Sequence, residues 1–251
     1  MIKISHLALF STLGLGSLGA QSFNLDVQGS TGTVPPSMFG AFPGQVGQVD
    51  WEPIFLTGAA TSMADINGAP TSATYRFLAP SSLSIQELTS ADYGTPPGQD
   101  VRDLFDDFVI SNEDDGNVAI EFDGLQPGLY RFYVYAWTPN GRSPLRFSVG
   151  STVRMATVVH GSPFPTPPDF VNLQTFGART LNVGAGQRVT ISTTCIGDAG
   201  GSTGGSTGGN GRRFFADEGQ APNCDCTIAG IQIVPVAGVQ GCAQDLSLIH
   251  I

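Results

Sequence analysis

Residues 120–137 read IEFDGLQPGLYRFYVYAW, which is an alternating segment, a turn signal and a second alternating segment. Ile120 and Phe122 alternate with polar neighbours, and aromatic residues alternate with smaller apolar ones after Tyr130. A period of two is typical of β-strands, and a Pro-Gly pair such as the one at position 127 is typical of turns. The stretch therefore predicts two strands separated by a turn.

The same period recurs on both sides of this stretch, and turn signals such as Asn67-Gly68 and Gly184-Ala185-Gly186 separate the segments. Many short strands at such spacing are typical of a sandwich or a barrel. We therefore predict an all-β fold. The further strand signals are Phe23, Leu25 and Val27; Tyr75 and Phe77; Leu145, Phe147 and Val149; Leu181 and Val183; Val189 and Ile191; and Ile231 and Ile233.

One short helix and one long loop complete the predicted fold. Asp100 can cap a helix in which Val101, Leu104, Phe105 and Phe108 form an apolar stripe at helical spacing. Residues 197–211 are a Gly/Ser/Thr run that repeats Ser-Thr-Gly-Gly, which is typical of a flexible loop. Because strand signals flank this run, we interpret it as a Gly-rich loop inside one domain.

Composition excludes several classes of function. The chain has 251 residues and a formal net charge of −10, and Lys3 is its only lysine. Beyond position 3 there is consequently no lysine for a Schiff base or a phosphate-binding loop. The acidic balance argues against a nucleic-acid partner, since such partners require a basic face.

The two ends predict export and a truncated tail. Residues 1–20 have a basic start, an apolar run and small residues, as a signal peptide does, although a buried N-terminal element is the alternative. We expect one domain over residues 21–238 and a truncated tail over 239–251. Residues 246–251 resemble a translated sequencing adapter, with a genuine terminal strand as the alternative. The apolar run is too short to span a bilayer well, so no transmembrane span is predicted.

Several segments together resemble the galactose-binding-like jelly-roll modules of exported bacterial proteins. This resemblance implies an antiparallel β-sandwich with ligand-binding loops at one end, found in many cell-surface and carbohydrate-related proteins. It also allows a structural calcium ion, with no other cofactor expected. The segments that carry the resemblance are residues 120–130 with the strand to Trp137, 65–71, 104–108 and 229–234.

The candidate ligand site is an aromatic row on the second strand of the opening stretch. Tyr133, Tyr135 and Trp137 share one strand face, and Asn140 and Arg142 follow in the adjoining turn. Exposed aromatic rings stack on sugars, and polar neighbours orient the ligand. The alternative places this face in the core between the sheets, because large aromatic side chains gain most from burial.

Acidic residues provide the candidates for a cation. Asp106 and Asp107 fall opposite the apolar stripe of the predicted helix, and residues 113–115 form an acidic turn. Calcium needs six to eight oxygen ligands, and no complete EF-hand loop is present. We therefore interpret both groups as solvated surface.

Catalytic motifs are weak. Residues 200–204 match G-x-S-x-G as a string, but they lie in low-complexity sequence, and His160 would be the sole base. That motif works only as a sharp turn from a strand into a helix. A secreted hydrolase is therefore the weakest of the functional alternatives.

Cysteines predict a disulfide. Cys195 follows one strand signal, and Cys224 and Cys226 precede the next. Export favours disulfides, and closing the long loop would contribute about 3 kcal/mol in the chain-entropy model. We predict that Cys195 pairs with Cys224 or Cys226, and the pattern does not choose between them.

These features predict an exported, non-catalytic β-sandwich module that binds carbohydrate or a cell-surface component. It would be extracellular, cell-surface or periplasmic. The first alternative is a structural or adhesive surface protein without a small ligand.

Overall fold

The computed structural model describes residues 21–29, 35, 51–87, 104–105, 107–111, 117–136, 142–159, 176–193 and 227–236. The predicted signal peptide, the tail over 239–251, the Gly-rich loop, His160 and all the cysteines lie outside these ranges. The predictions on them, including the disulfide, stay predictions.

The described residues are nearly all β, as the alternating pattern predicts. A short 3₁₀ turn covers Pro80–Ser82. The strands are β1 Phe23–Val27, β2 Glu52–Ile54, β3 Thr61–Ala64, β4 Pro70–Leu78, β5 Leu83–Glu87, β6 Asp107–Ser111, β7 Ala119–Asp123, β8 Gly128–Tyr135, β9 Arg142–Val149, β10 Thr152–Val159, β11 Phe176–Val183, β12 Val189–Thr193, β13 Thr227–Ile228 and β14 Gly230–Pro235.

The strands form two large sheets and one small sheet. The first has the order β11-β8-β14-β1-β2, the second has the order β10-β9-β12-β7-β4-β3, and the small sheet is β13-β6-β5. The strand pairs are antiparallel apart from the parallel pair β1–β2. This arrangement confirms the antiparallel β-sandwich.

The core lies between the two large sheets and contains one face of each strand. Leu25 and Phe132 come from the first sheet, Phe122 and Phe147 come from the second, and all four side chains are fully buried. The alternation seen in the sequence therefore selects the inner face correctly, because successive strand side chains point to opposite sides of a sheet.

The opening stretch of the sequence crosses from one sheet to the other. It contains β7 of the second sheet and β8 of the first, so the turn between them is not a hairpin. Gly124 lies in this turn with a φ of +72°. The hydroxyl of Tyr130 donates to the carbonyl of Gln126 at 2.9 Å, which ties the start of β8 back to the turn.

The predicted helix is wrong in its extent. Leu104 and Phe105 have helical backbone, but Phe108 lies in β6. The apolar spacing that predicted one helical stripe instead belongs to a segment that changes from helix to strand. Leu104, Phe105 and Phe108 nevertheless all belong to one buried hydrophobic cluster.

Candidate functional site

The aromatic row predicted as an exposed platform is covered. Tyr135 is fully buried and Tyr133 is 9% exposed. Phe132, Val134 and Ala136 do face the main core, so the predicted alternation is right. The platform is nevertheless wrong for these two tyrosines, because a second hydrophobic cluster packs on the outer face of the first sheet.

Ring contacts show how the second cluster covers the row. The ring of Tyr135 lies 5.6 Å from that of Trp51 and 6.1 Å from that of Phe105, both in edge-to-face geometry. The ring of Tyr133 lies 5.7 Å from that of Phe176. Aromatic pairs of this geometry contribute about 0.5–1.5 kcal/mol beyond area burial. These rings therefore stabilise the fold.

The hydroxyl of Tyr135 also has its hydrogen-bond partner inside the protein. Its hydroxyl donates to Oε1 of Gln232 at 2.5 Å, and Nε2 of Gln232 donates to Oδ1 of Asn24 at 3.0 Å. Buried polar groups are nearly always paired in this way. The network links β8, β14 and β1 in the covered layer, and it serves packing rather than ligand binding.

Of the other predicted site residues, the structure describes only the backbone of Arg142. Trp137 and Asn140 lie outside the described residues. Arg142 is the first residue of β9, where its backbone pairs with Val159 of β10, and its side chain is not among those described. The structure therefore places Arg142 on a strand next to the edge strand β10 rather than in a turn.

The acidic candidates separate into a buried residue and residues outside the described ranges. Asp107 is 2% exposed and lies in β6, where its Oδ2 accepts the N–H of Gly29 at 2.7 Å. The prediction of a solvated surface is therefore wrong for Asp107, because the segment is a strand there. Asp106 and residues 113–115 lie outside the described ranges. The described residues contain no group of three or more His, Cys, Asp or Glu side chains suited to a metal, and the calcium site stays a prediction.

A charged surface emerges instead from β8, β9, β10 and β11. These four strands contain five arginines and no acidic residue, although the whole chain has a net charge of −10. Strands β8 and β11 are neighbours in the first sheet, and β9 and β10 are neighbours in the second. The arginines are Arg131 on β8, Arg142 and Arg146 on β9, Arg154 on β10 and Arg179 on β11.

Three of these arginines lie on strands at or next to the place where the edges of the two sheets meet. Strands β10 and β11 are edge strands of different sheets and pack against each other. Arg179 spans this junction, since its Nε donates to the carbonyl of Met155 on β10. Its Nη1 donates to the carbonyl of Ala178 at 2.7 Å. We call Arg131, Arg154 and Arg179 the arginine edge.

The other two members are more exposed than Arg179. Arg154 lies on the same side of β10 as the buried Ala156, but its own side chain is exposed. Arg131 is exposed on β8, and its guanidinium carbon lies 5.3 Å from the ring centre of Tyr133. Cation–π contacts of this kind contribute about 0.5–1 kcal/mol at exposed sites. They also hold a guanidinium in one orientation.

The electrostatics of Arg179 are set first by burial and then by neighbouring positive charge. Desolvation by burial, followed by repulsion from Arg131 and Arg154, lowers the pKa of Arg179 from its ordinary value. Among the described residues, no ion pair involves a member of the arginine edge, whereas Arg76 and Arg188 pair with acids on β7.

Exposed apolar side chains adjoin the arginine edge. Val153 and Met155 on β10 are 40% and 48% exposed. Arg146 of β9 is the direct cross-strand partner of Met155. Because strand side chains alternate, Val153 and Met155 lie on the outer face of the second sheet while Arg154 lies at its edge. The outer face of the second sheet therefore combines the exposed Arg146 with a small apolar surface.

On the opposite side of the sandwich, an acidic residue rather than an arginine connects the edge strands of the two large sheets. Oε2 of Glu52 on β2 accepts the N–H of Ala64 on β3 at 2.9 Å, which links the edge strands of the two sheets. Desolvation raises the pKa of Glu52, and the Ala64 hydrogen bond lowers it by a smaller amount. Nearby, the hydroxyl of Tyr75 accepts the N–H of Phe55 at 3.1 Å. These contacts close the sheet edge.

Sequence reasoning missed the arginine edge, although the sequence contains a signal for it. Residues 124–187 contain five arginines and a single acid, Asp169, while the other 20 acidic residues lie elsewhere. Such segregation indicates a basic surface on an acidic chain. Which of the arginines meet could not be seen, because that depends on strand order.

No family model and no curated protein matches the chain. Among solved structures, the YxiM protein of Bacillus subtilis is 11% identical with a TM-score of 0.39, and the alignment covers 86% of this chain and 40% of that one. The chain thus spans less than half the length of that protein.

Two further similar structures are carbohydrate-binding modules. A family 35 module from Clostridium thermocellum is 9% identical with a TM-score of 0.32, covering 71% of this chain and 99% of that one. TmCBM61, solved with β-1,4-galactotriose, is 14% identical with a TM-score of 0.31, covering 64% of this chain and 88% of that one. Because similarity at this level carries no argument about function, the proposal below is based on the chain's own residues.

Within the part of the chain that the structure describes, no helical segment has the length and apolar character that crossing a bilayer requires.

Proposed function

We propose that this chain is an exported, non-catalytic β-sandwich module that binds carbohydrate at the arginine edge. The observation that carries the proposal is the concentration of five arginines and no acidic residue on β8, β9, β10 and β11, where Arg131, Arg154 and Arg179 form no ion pair with any described residue. Arg154 offers hydrogen-bond donors at this sheet edge, and the exposed Val153 and Met155 on the other side of β10 offer apolar contact to a sugar chain.

The chemistry of arginine favours binding over catalysis at this surface. A guanidinium group stays protonated in proteins and presents five donors in a planar fork. It therefore orients oxygen atoms but does not exchange protons as a general acid or base does. The strands that carry the arginine edge are extended, which suits a polymer lying along them.

A structural or adhesive protein without a small ligand is the second candidate. The burial of Tyr133 and Tyr135 favours it, because the aromatic platform expected of a sugar site is packed inside the protein. The two candidates differ in one measurable respect. The first requires saturable binding of a soluble polysaccharide at the arginine edge, and the second requires none.

Affinity electrophoresis in gels that contain soluble polysaccharides tests the proposal. We expect at least one polysaccharide to retard the wild-type chain, and Arg154→Gln to reduce the retardation. The matched control is Arg188→Gln, which removes the same charge from an exposed arginine that pairs with Glu121 and Asp123. Retardation of neither protein by a broad panel would reject carbohydrate binding. Equal losses in the two variants would reject the arginine edge as its site.

Export and the disulfide form a linked part of the proposal. If the chain is secreted, Cys195 is expected to pair with Cys224 or Cys226, since oxidising compartments favour disulfides. Non-reducing peptide mapping of the secreted protein identifies the partner. A free Cys195 thiol in that protein would contradict the pairing.

A further inference from the structure

We infer that Arg179 protects the edge of β10 from pairing with the same strand of a second copy of this chain. Among the described strands, β10 lies at one end of the second sheet. Unpaired backbone groups at such an edge are a template for another chain, and natural proteins usually cover or interrupt them. The contact concerns the backbone of an edge strand, so it is independent of any carbohydrate ligand.

The hairpin between β9 and β10 determines which backbone groups of β10 face outward. Val149 pairs with Thr152, so Gly150 and Ser151 form a two-residue loop. Gly150 has a φ of +54°, which suits the first central position of a type II′ turn. The residues that flank such a loop exchange backbone hydrogen bonds, and bonding then alternates along the antiparallel pair. Every second residue of β10 therefore directs its N–H and C=O away from β9. We call the backbone of these residues the free edge of β10: Val153, Met155 and Thr157.

Arg179 occupies the middle of the free edge of β10. It lies on β11, the edge strand of the other large sheet, and its Nε donates to the carbonyl of Met155. The hairpin pattern makes this carbonyl an outward-facing one, so the bond uses an acceptor that an added strand would need. Nη1 of Arg179 donates to the carbonyl of Ala178 on its own strand at 2.7 Å, which holds the guanidinium in place.

A glycine allows β11 to approach β10 closely enough for this contact. A Cβ at Gly177 would lie 2.7 Å from Cδ1 of Leu145 and 3.0 Å from Cβ of Ala156. Because side chains alternate along a strand, Gly177 and Arg179 share the side of β11 that faces the other sheet. The missing side chain at position 177 therefore brings the two edge strands together, and the long side chain two residues later crosses to β10.

The free edge of β10 suits a second copy of the same strand in antiparallel register. A pair centred on Met155 places Met155 opposite itself and Val153 opposite Thr157 of the second copy, so outward-facing groups meet outward-facing groups. Arg154 then lies opposite Ala156 of the second copy, and no two like charges are directly opposed. The exposed side chains of Val153 and Met155 would bury apolar surface in this pair.

Sedimentation velocity of the full chain over a range of concentrations tests the role of Arg179. We expect the wild type to stay monomeric where Arg179→Met self-associates, because methionine has no donor for the carbonyl of Met155. Hydrogen bonds to charged groups are among the stronger ones, so the Kd of the dimer should fall about tenfold or more. The matched control is Arg188→Met, which makes the same change at an exposed arginine that pairs with Glu121 and Asp123. It should sediment as the wild type does.

A second substitution separates strand pairing from general stickiness. Met155→Pro removes an N–H that points to the free edge, and it leaves the bonds between β10 and β9 in place. The double variant Arg179→Met/Met155→Pro should therefore return to the monomer. Self-association that persists in the double variant, or that appears equally in Arg188→Met, would overturn pairing through β10.

Thermal melting followed by circular dichroism verifies that each variant is folded. Arg179→Gln, whose shorter side chain is neutral and polar, replaces Arg179→Met if the methionine variant is unfolded at the assay temperature. A folded variant at position 179 that stays monomeric at every concentration would overturn the protective role of Arg179. Self-association of the wild type with the same Kd as the variant would overturn it as well.

Discussion

Replacing Gly124 with alanine should test the turn that joins the two sheets. A Cβ at this position would lie 2.3 Å from the carbonyl oxygen of Ser72 on β4, well inside van der Waals contact. The φ of +72° adds a second penalty, because L-residues are strained in the left-handed region. The carbonyl oxygen of Ser72 belongs to the backbone of a paired strand, so rotation of a side chain cannot relieve the contact.

The magnitude follows from these two penalties. Left-handed backbone costs a non-glycine residue about 1–2 kcal/mol. Forcing an extra carbon into packed surroundings costs about 1–3 kcal/mol. Gly124→Ala should therefore lower the free energy of unfolding by about 2–5 kcal/mol, a large fraction of the stability of an ordinary domain.

Gly186→Ala is the matched control. Gly186 also has a left-handed φ, +67°, but nothing lies within 4 Å of the position of its added Cβ. Only the backbone penalty applies there, so the expected loss is about 1–2 kcal/mol. The difference between the two variants isolates the close approach of Ser72 to Gly124.

Urea and thermal unfolding followed by circular dichroism provide the assay. For a domain of this size, each kcal/mol corresponds to about 2–4 °C in Tm. Gly124→Ala should therefore melt measurably below Gly186→Ala. Coincident unfolding curves for the two variants would refute the reasoning, because the contact with β4 would then have no energetic consequence.

Two further perturbations test the covered layer and the closed sheet edge. Tyr135→Phe should cost about 1–3 kcal/mol in urea unfolding, since Oε1 of buried Gln232 loses its donor, and unchanged stability would contradict the buried network. Glu52→Gln should stabilise the protein at pH 7, because burial raises the pKa of Glu52 above its ordinary 4.5 and the ionised form is disfavoured in the folded state. The stability that wild type owes to protonated Glu52 is complete below the unfolded pKa and is lost as pH rises through the folded pKa. Wild type and variant should therefore converge below about pH 4, and a difference that is independent of pH would contradict the burial of this carboxyl.

The sequence predicted most strands and the orientation of their side chains. Phe132 faces the core and Tyr133 faces away from it, as alternation requires. The sequence could not show that the outward face would itself be covered. That outcome needs Trp51 and Phe105, which are 82 and 28 residues before Tyr133 along the chain. The predicted extent of the helix is wrong for a related reason. An apolar residue at position 108 fits a strand that is buried on both faces as well as it fits a helix.

Alternation and turn residues are properties of neighbouring residues, so the sequence by itself determined most of the strands, their inner faces and the turn between β7 and β8. Strand order is set by contacts between distant segments, and the tertiary structure alone decided which exposed faces became covered. It also decided which charges meet. Arg179 reaches the backbone of Met155 only because β10 and β11 are adjoining edges of the two sheets. Burial and the charges of Arg131 and Arg154 lower the pKa of Arg179, an effect that depends on strand order and that no single position in the sequence shows.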